Sequence, residues 1–122
     1  MTKEEVAHQY LSFLEKGEMD NVVNLFADDG IVESPLYGIK PAKTFYKLLS
    51  EDTSLSELKF DGLFLENNTN RISLLFDYKW SMKNGNVVEF KVVDIIELTS
   101  ENKIKKLAII YDTVNARDLL TK

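Results

Sequence analysis

The stretch RISLLFDYKWSMKNGNVVEFKVVDIIELTSENKIKKLAIIYDTV, residues 71–114, alternates with a period of two and reads as three strands joined by two turns. Leu74, Phe76, Tyr78, Trp80 and Met82 fall on one face of the first strand; Leu75, Asp77, Lys79 and Ser81 fall on the other. Lys83-Asn84-Gly85-Asn86 is a hairpin signal, because Asn-Gly accepts the positive φ that tight hairpins need. The next strand carries Val88, Phe90, Val92, Asp94, Ile96 and Leu98 on one face. After a turn at Ser100–Lys103, the last strand aligns Leu107, Ile109 and Tyr111. Just upstream, ELKFDGLFLENN (57–68) also alternates, and Gly62 interrupts it in the manner of a bulge.

Before about residue 55 the period is helical. TKEEVAHQYLSFLEKG (2–17) pairs Thr2 with Glu5 as a capping box, repeats Val6, Tyr10, Phe13 and Leu14 at helical spacing, and stops at Gly17. EMDNVVNLFADDG (18–30) reads as a second helix, with Met19, Val22, Val23 and Phe26 on one side and Gly30 ending it. IVESPLYG (31–38) is short and β-rich; Pro35 makes it an edge strand or one that breaks into a turn. KPAKTFYKLLSED (40–52) returns to helical spacing through Ala42, Phe45, Tyr46 and Leu49, with Pro41 suited to the first turn. Three helices followed by an antiparallel meander predict an α+β fold with helices on one face of the sheet.

No break in composition divides the 122 residues, so residues 1–122 read as a single domain large enough to bury a core. Fifteen basic and twenty acidic residues are mixed along the chain, and an acidic balance without a basic stripe argues against nucleic acid. The chain has no cysteine, which removes disulfides, thiolate nucleophiles and cysteine metal sites. One histidine and no cysteine also disfavour a metal centre. The opening MTKEEVAHQY lacks an apolar signal region, and no apolar run approaches a membrane span. The expectation is a cytoplasmic protein without membrane contact.

Asp94 is the most informative residue. Period two sets it among Phe90, Val92, Ile96 and Leu98, on the face that should be buried. A carboxylate there must be paired, hydrogen-bonded, protonated or at a wet sheet end. Alternatively, it is a pocket carboxyl group that exchanges a hydrogen bond with a ligand oxygen. Tyr10, in the apolar stripe of the first helix, either fills core with its hydroxyl at the surface or aims that hydroxyl into a cavity. Phe45, Tyr46, Phe76, Tyr78, Trp80, Phe90 and Tyr111 could together wall a cavity for a flat or cyclic ligand. Trp80 is ambiguous, since tryptophan on the outer side of the sheet would suit a subunit interface.

The span HQYLSFLEKGEMDNVVNLFADDGIVESPLYG (8–38) resembles the opening of ketosteroid isomerases and SnoaL-like polyketide cyclases, members of the nuclear transport factor two-like superfamily. TFYKLL (44–49), VVDIIEL (92–98) and IIYDT (109–113) follow in matching order. The resemblance implies a cone-shaped, strongly curved antiparallel or mixed sheet wrapped around three N-terminal helices, a cystatin-like α+β barrel with a pocket at one end. It also implies that Tyr10 and Asp94 match the oxyanion-hole pair of the isomerases, in which the aspartate is held protonated. Ser34, in VESP, stands where those enzymes place their general base, and a serine hydroxyl is no base near pH 7.

No neighbouring carboxylate replaces that base convincingly. Glu33 points to the opposite face, Asp28 and Asp29 fall at the end of the predicted second helix, and Asp112 should face away. Dehydratases of this fold rely on pocket histidines, and the lone His8 reads as a surface residue. Epoxide hydrolases of the fold use an Asp-Arg-Asp set that Arg71 and Arg117 do not supply. The resulting expectation is a pocket protein for a small, largely apolar molecule, cyclic or polyketide- or steroid-like. Its site would comprise Tyr10, Ser34, Phe45, Tyr46, Phe76, Phe90, Asp94, Ile109 and Tyr111, with no metal or cofactor. Two alternatives stand beside it: a cofactor-independent isomerase, cyclase or dehydratase-type lyase using Asp94 as acid or base, and a non-catalytic interaction module. The resemblance further implies a homodimer formed through the sheet face.

Overall fold

The structure is a computed structural model, and it describes residues 1–116 and 119. The order of elements is α1 (Lys3–Lys16), α2 (Met19–Val23), β1 (Phe26–Ser34), β2 (Gly38–Pro41), α3 (Ala42–Asp52), β3 (Thr53–Leu65), β4 (Arg71–Met82), β5 (Val87–Leu98) and β6 (Ile104–Ile110). The six strands form one sheet in the order β2-β1-β6-β5-β4-β3. β1 runs parallel to β6 and the other neighbouring pairs are antiparallel, so the sheet is mixed, with open edges at β2 and β3. Helix α3 touches β1 and β2 at one end of that order and β3 at the other, and α1 packs on β3. Contact with both edges requires the sheet to curl around the helices.

Local chemistry explains most boundaries. Thr2 and Glu5 form the reciprocal capping box, and Gly17 ends α1 at φ 73° while its N–H reaches the Leu14 carbonyl. Gly85, at φ 91°, turns β4 into β5 with Ser81 opposite Val87. Gly62 sits where the β3–β4 register shifts, as its interruption of the alternation predicts.

The second helix is where the expectation fails. It ends at Val23, and Phe26 already opens β1, paired with Ile104. Residues 26–34 therefore form a strand, and Asp28 and Asp29 sit in it rather than at a helix end. Gly30 shows why: a Cβ there would lie 2.8 Å from the Ile104 carbonyl oxygen, so this residue permits the close approach of β1 to β6. IVESPLYG divides into the end of β1, a turn holding Pro35, and the edge strand β2. Pro41 caps α3 rather than occupying its first turn, and Tyr111 lies just past the end of β6.

The core lies between the inner face of the sheet and the helices. Ile72, Leu74, Phe76, Val92, Ile96 and Leu107 from the sheet bury against Val6, Tyr10, Val22, Phe45 and Tyr46 from the helices. Trp80 belongs to this inner face. It is 2% exposed and its indole N–H donates to Thr53 Oγ1 at 2.8 Å, which excludes it from an outer-face interface. Among the described residues, no helix is long and apolar enough to cross a membrane.

Candidate functional site

Inner-face side chains of β4, β5 and β6 and the facing sides of α1 and α3 leave a cavity of about 50 Å³. Tyr10, Leu14, Ser34, Tyr37, Phe45, Leu49, Phe76, Tyr78, Trp80, Phe90, Val92, Asp94, Ile109 and Tyr111 line it. Its depth can be read from exposure. Tyr10, Phe45, Phe76 and Asp94 are buried at the floor, whereas Tyr37, Phe90, Ile109 and Tyr111 are half-buried toward the mouth. Ligand pockets usually enclose about 300–1,000 Å³, so this cavity is too small for a steroid and takes even a single ring only as its mouth opens.

Asp94 sits on β5 between Leu74 of β4 and Ile109 of β6, neighbours that offer it no polar side chain. It is 1% exposed, and neither carboxyl oxygen has a hydrogen-bond partner among the described residues. Burial alone pushes its pKa well above the ordinary carboxylate value and so favours the neutral acid. Among the described residues it has neither a neighbouring donor nor a place at a wet sheet end.

Tyr10 projects from α1 and its hydroxyl meets that of Tyr46, on α3, at 2.7 Å. Burial raises both phenols well above their usual range, and the proximity of Asp94 adds to the shift. Tyr78, hydrogen-bonded to Ser56 at 2.6 Å, is pushed up to about 12 by burial. Carboxylate and tyrosinate forms thus disfavour one another at the floor. Tyr46 does not itself line the cavity; it stands behind Tyr10 and fixes it.

Ser34 is 7% exposed and its Oγ accepts from the backbone N–H groups of Leu36 and Tyr37, at 3.3 and 3.4 Å. Its hydroxyl therefore braces the turn after β1, and no base occupies that position. The same turn carries Tyr37, whose hydroxyl donates to Asp52 Oδ2 at 2.6 Å; burial, then Asp52, raises the phenol. Tyr37, Leu14, Leu49 and Val92 are lining residues that sequence reasoning missed. Leu14, Leu49 and Val92 lay on faces already recognised as apolar, but nothing in the sequence marks Tyr37 beyond an aromatic placed after Pro35.

The aromatic wall is ordered. Tyr78 and Phe90 stack at 5.4 Å between centroids with planes 12° apart, and Phe90 and Tyr111 stack at 4.3 Å and 18°. Phe45 meets Tyr37 and Tyr46 edge-on. Residues set aside from the sequence lie elsewhere. Exposed His8 packs on Phe60, Arg71 pairs with Glu66 on the surface, and Glu33 and Asp112 are exposed. Arg117 lies outside the described residues.

Several solved structures superpose on essentially this whole architecture. An NTF2-like protein of unknown function from Burkholderia pseudomallei matches with a TM-score of 0.85 at 16% identity, covering 100% of both chains. The chain has the nuclear transport factor two-like (NTF2-like) fold. TerC, co-crystallised with polyporic acid, matches at 0.82 and 14% identity over 98% of each chain. The epoxide hydrolase/cyclase-like enzyme SalBIII, of pyran ring formation in the polyether salinomycin, matches at 0.77 and 14% over 93% of this chain and 92% of its own. No protein-family model and no curated protein matches the sequence. At these identities the NTF2-like fold is shared, and the side chains in the cavity decide the rest.

Proposed function

We propose that this NTF2-like chain is a SnoaL-like pocket protein that binds a small, largely apolar, ring-bearing molecule through one polar oxygen. The observation that carries the reading is Asp94, a carboxyl group buried in an aromatic cavity with both oxygens unpaired. A buried polar group without a partner is costly and uncommon, and in a cleft it marks a place where a ligand completes the hydrogen bonding. The neutral acid and the Tyr10–Tyr46 hydroxyl pair can each give a hydrogen bond to a ligand oxygen, while the aromatic walls cover the ring. A relative that was crystallised with polyporic acid supports a small-molecule role for this scaffold.

A catalytic version of the same reading has its own support. An acid held neutral at pH 7 suits protonation of a leaving or carbonyl oxygen, and one neighbour is described as epoxide hydrolase/cyclase-like. In that version Asp94 is the acid of an isomerase, cyclase or dehydratase, and ketosteroid isomerisation stays absent because Ser34 replaces the base. The outer face of the sheet also suits a homodimer: Ile110 is 55% exposed there beside half-buried Leu75, Val93 and Ile95.

Thermal unfolding against a panel of phenols, cyclic ketones and steroids tests the binding. A ligand at 100 times its Kd adds roughly 2.7 kcal/mol, visible as a rise in Tm. The reading expects small phenols or ketones to raise Tm, steroids not to, and Asp94→Leu to abolish the rise while remaining folded. A panel without effect on the parent protein would refute it.

A further inference from the structure

Both oxygens of Asp94 are buried and unpaired, and that pair of atoms is more specific than an oxyanion hole requires. A protonated carboxyl group has one O–H donor beside one carbonyl acceptor. A ketone, ether or phenolate oxygen would take the donor and leave the acceptor bare. A ligand edge with an acceptor next to a donor satisfies the two at once, through two parallel hydrogen bonds.

We propose that the cavity takes a neutral planar ring bearing a donor beside an acceptor, the edge of a lactam or 2-pyridone, and that Asp94 reads both. The proposal rests on the pocket reading above and narrows its ligand class.

Three further features favour that class over others with the same edge. Among the described residues, the lining holds no lysine, arginine or histidine, so an anion would enter without a counter-charge. A carboxylic acid presents the right edge but is ionised near pH 7, which leaves the cyclic amide as the neutral choice. The Tyr10–Tyr46 bond at 2.7 Å uses one of the two hydroxyl protons, and neither hydroxyl bonds Asp94, so the acceptor side of Asp94 is open to the ligand. Tyr78, Phe90 and Tyr111, stacked on one another, make one side of the cavity aromatic, and a void of about 50 Å³ leaves no room for a fused system.

The test compares 2-pyridone with 2-pyranone, rings of nearly equal shape in which an oxygen replaces the N–H. Binding of each is measured by isothermal titration calorimetry to the parent protein, Asp94→Asn and Asp94→Leu, with melting curves confirming that each variant is folded. An asparagine amide also presents a donor beside an acceptor, so it keeps the pattern without a titrating group. The expected result is a preference for 2-pyridone of roughly 10-fold or more in the parent, retained in Asp94→Asn and lost in Asp94→Leu. Equal affinities in the parent, or a preference that survives in Asp94→Leu, would overturn the proposal. Binding of phenols or cyclic ketones but of neither heterocycle overturns the donor–acceptor reading and leaves the pocket intact. Failure of every ring to bind removes both.

Discussion

Asp77 and Asp94 stand on adjacent strands of one sheet and face opposite ways. On the outer face Asp77 lies across from Lys91, whose Nζ reaches it at 3.1 Å and Asp61 at 2.6 Å, and Lys79 approaches Glu57 at 3.8 Å. These side chains are all about half exposed, so water and salt screen them and their pairing contributes little to stability. On the inner face Asp94 has no cation and no donor among the described residues, and burial favours its neutral form. The same residue type is thus a screened surface group on one side of the sheet and a buried group without a partner among the described residues on the other. That difference is what sets the inner face apart.

Four substitutions sharpen or break that contrast. Phe76→Ala removes a buried ring from the floor and should have the largest effect, about 3–5 kcal/mol lower stability by urea unfolding. A loss near that of a surface substitution would mean that the floor is loosely packed.

Asp94→Asn comes next and acts through pH. A carboxyl whose pKa is raised on folding contributes stability that is complete below its unfolded value, near 3.8, and is lost as pH rises through the folded value. Within that window the stability of the parent relative to Asp94→Asn should fall by about 1.4 kcal/mol per pH unit. Parallel stability curves for the two proteins between pH 4 and pH 7 would contradict a buried acid. Tyr46→Phe leaves the Tyr10 hydroxyl without its partner and should cost about 1–3 kcal/mol in the same unfolding assay.

Lys91→Ala should be the smallest, with a urea midpoint close to the parent and any difference shrinking as salt is added. A large, salt-resistant loss there would erase the distinction between the two faces.

Much of this contrast was legible in the sequence because a period of two sorts residues onto faces without ambiguity. Asp94 among valines and isoleucines announced a buried acid, and Asp77 and Lys79 announced a solvated face. The capping box, Gly17 and the Asn84-Gly85 turn were readable because each is settled by a few adjacent residues. The region from Phe26 to Gly30 was not. Met19, Val22, Val23 and Phe26 repeat at helical spacing, and the strand that overrides them depends on pairing with Ile104, far along the chain. Trp80 is ambiguous in the sequence for a different reason. Periodicity set it on the inner face, and the readiness of tryptophan to serve interfaces argued for the outer one; its bond to Thr53 settles the matter. Tyr37–Asp52 and Ser56–Tyr78 join residues of different elements and leave no local signature.

The central claim is that Asp94 is a neutral acid in the folded protein at pH 7. The difference infrared spectrum between the parent and Asp94→Asn at that pH reads this directly in the carboxyl C=O stretching region. The account predicts a protonated-acid band in the parent that is missing from the variant and insensitive to added salt. A difference spectrum containing only carboxylate bands would show an ionised Asp94 and contradict the account.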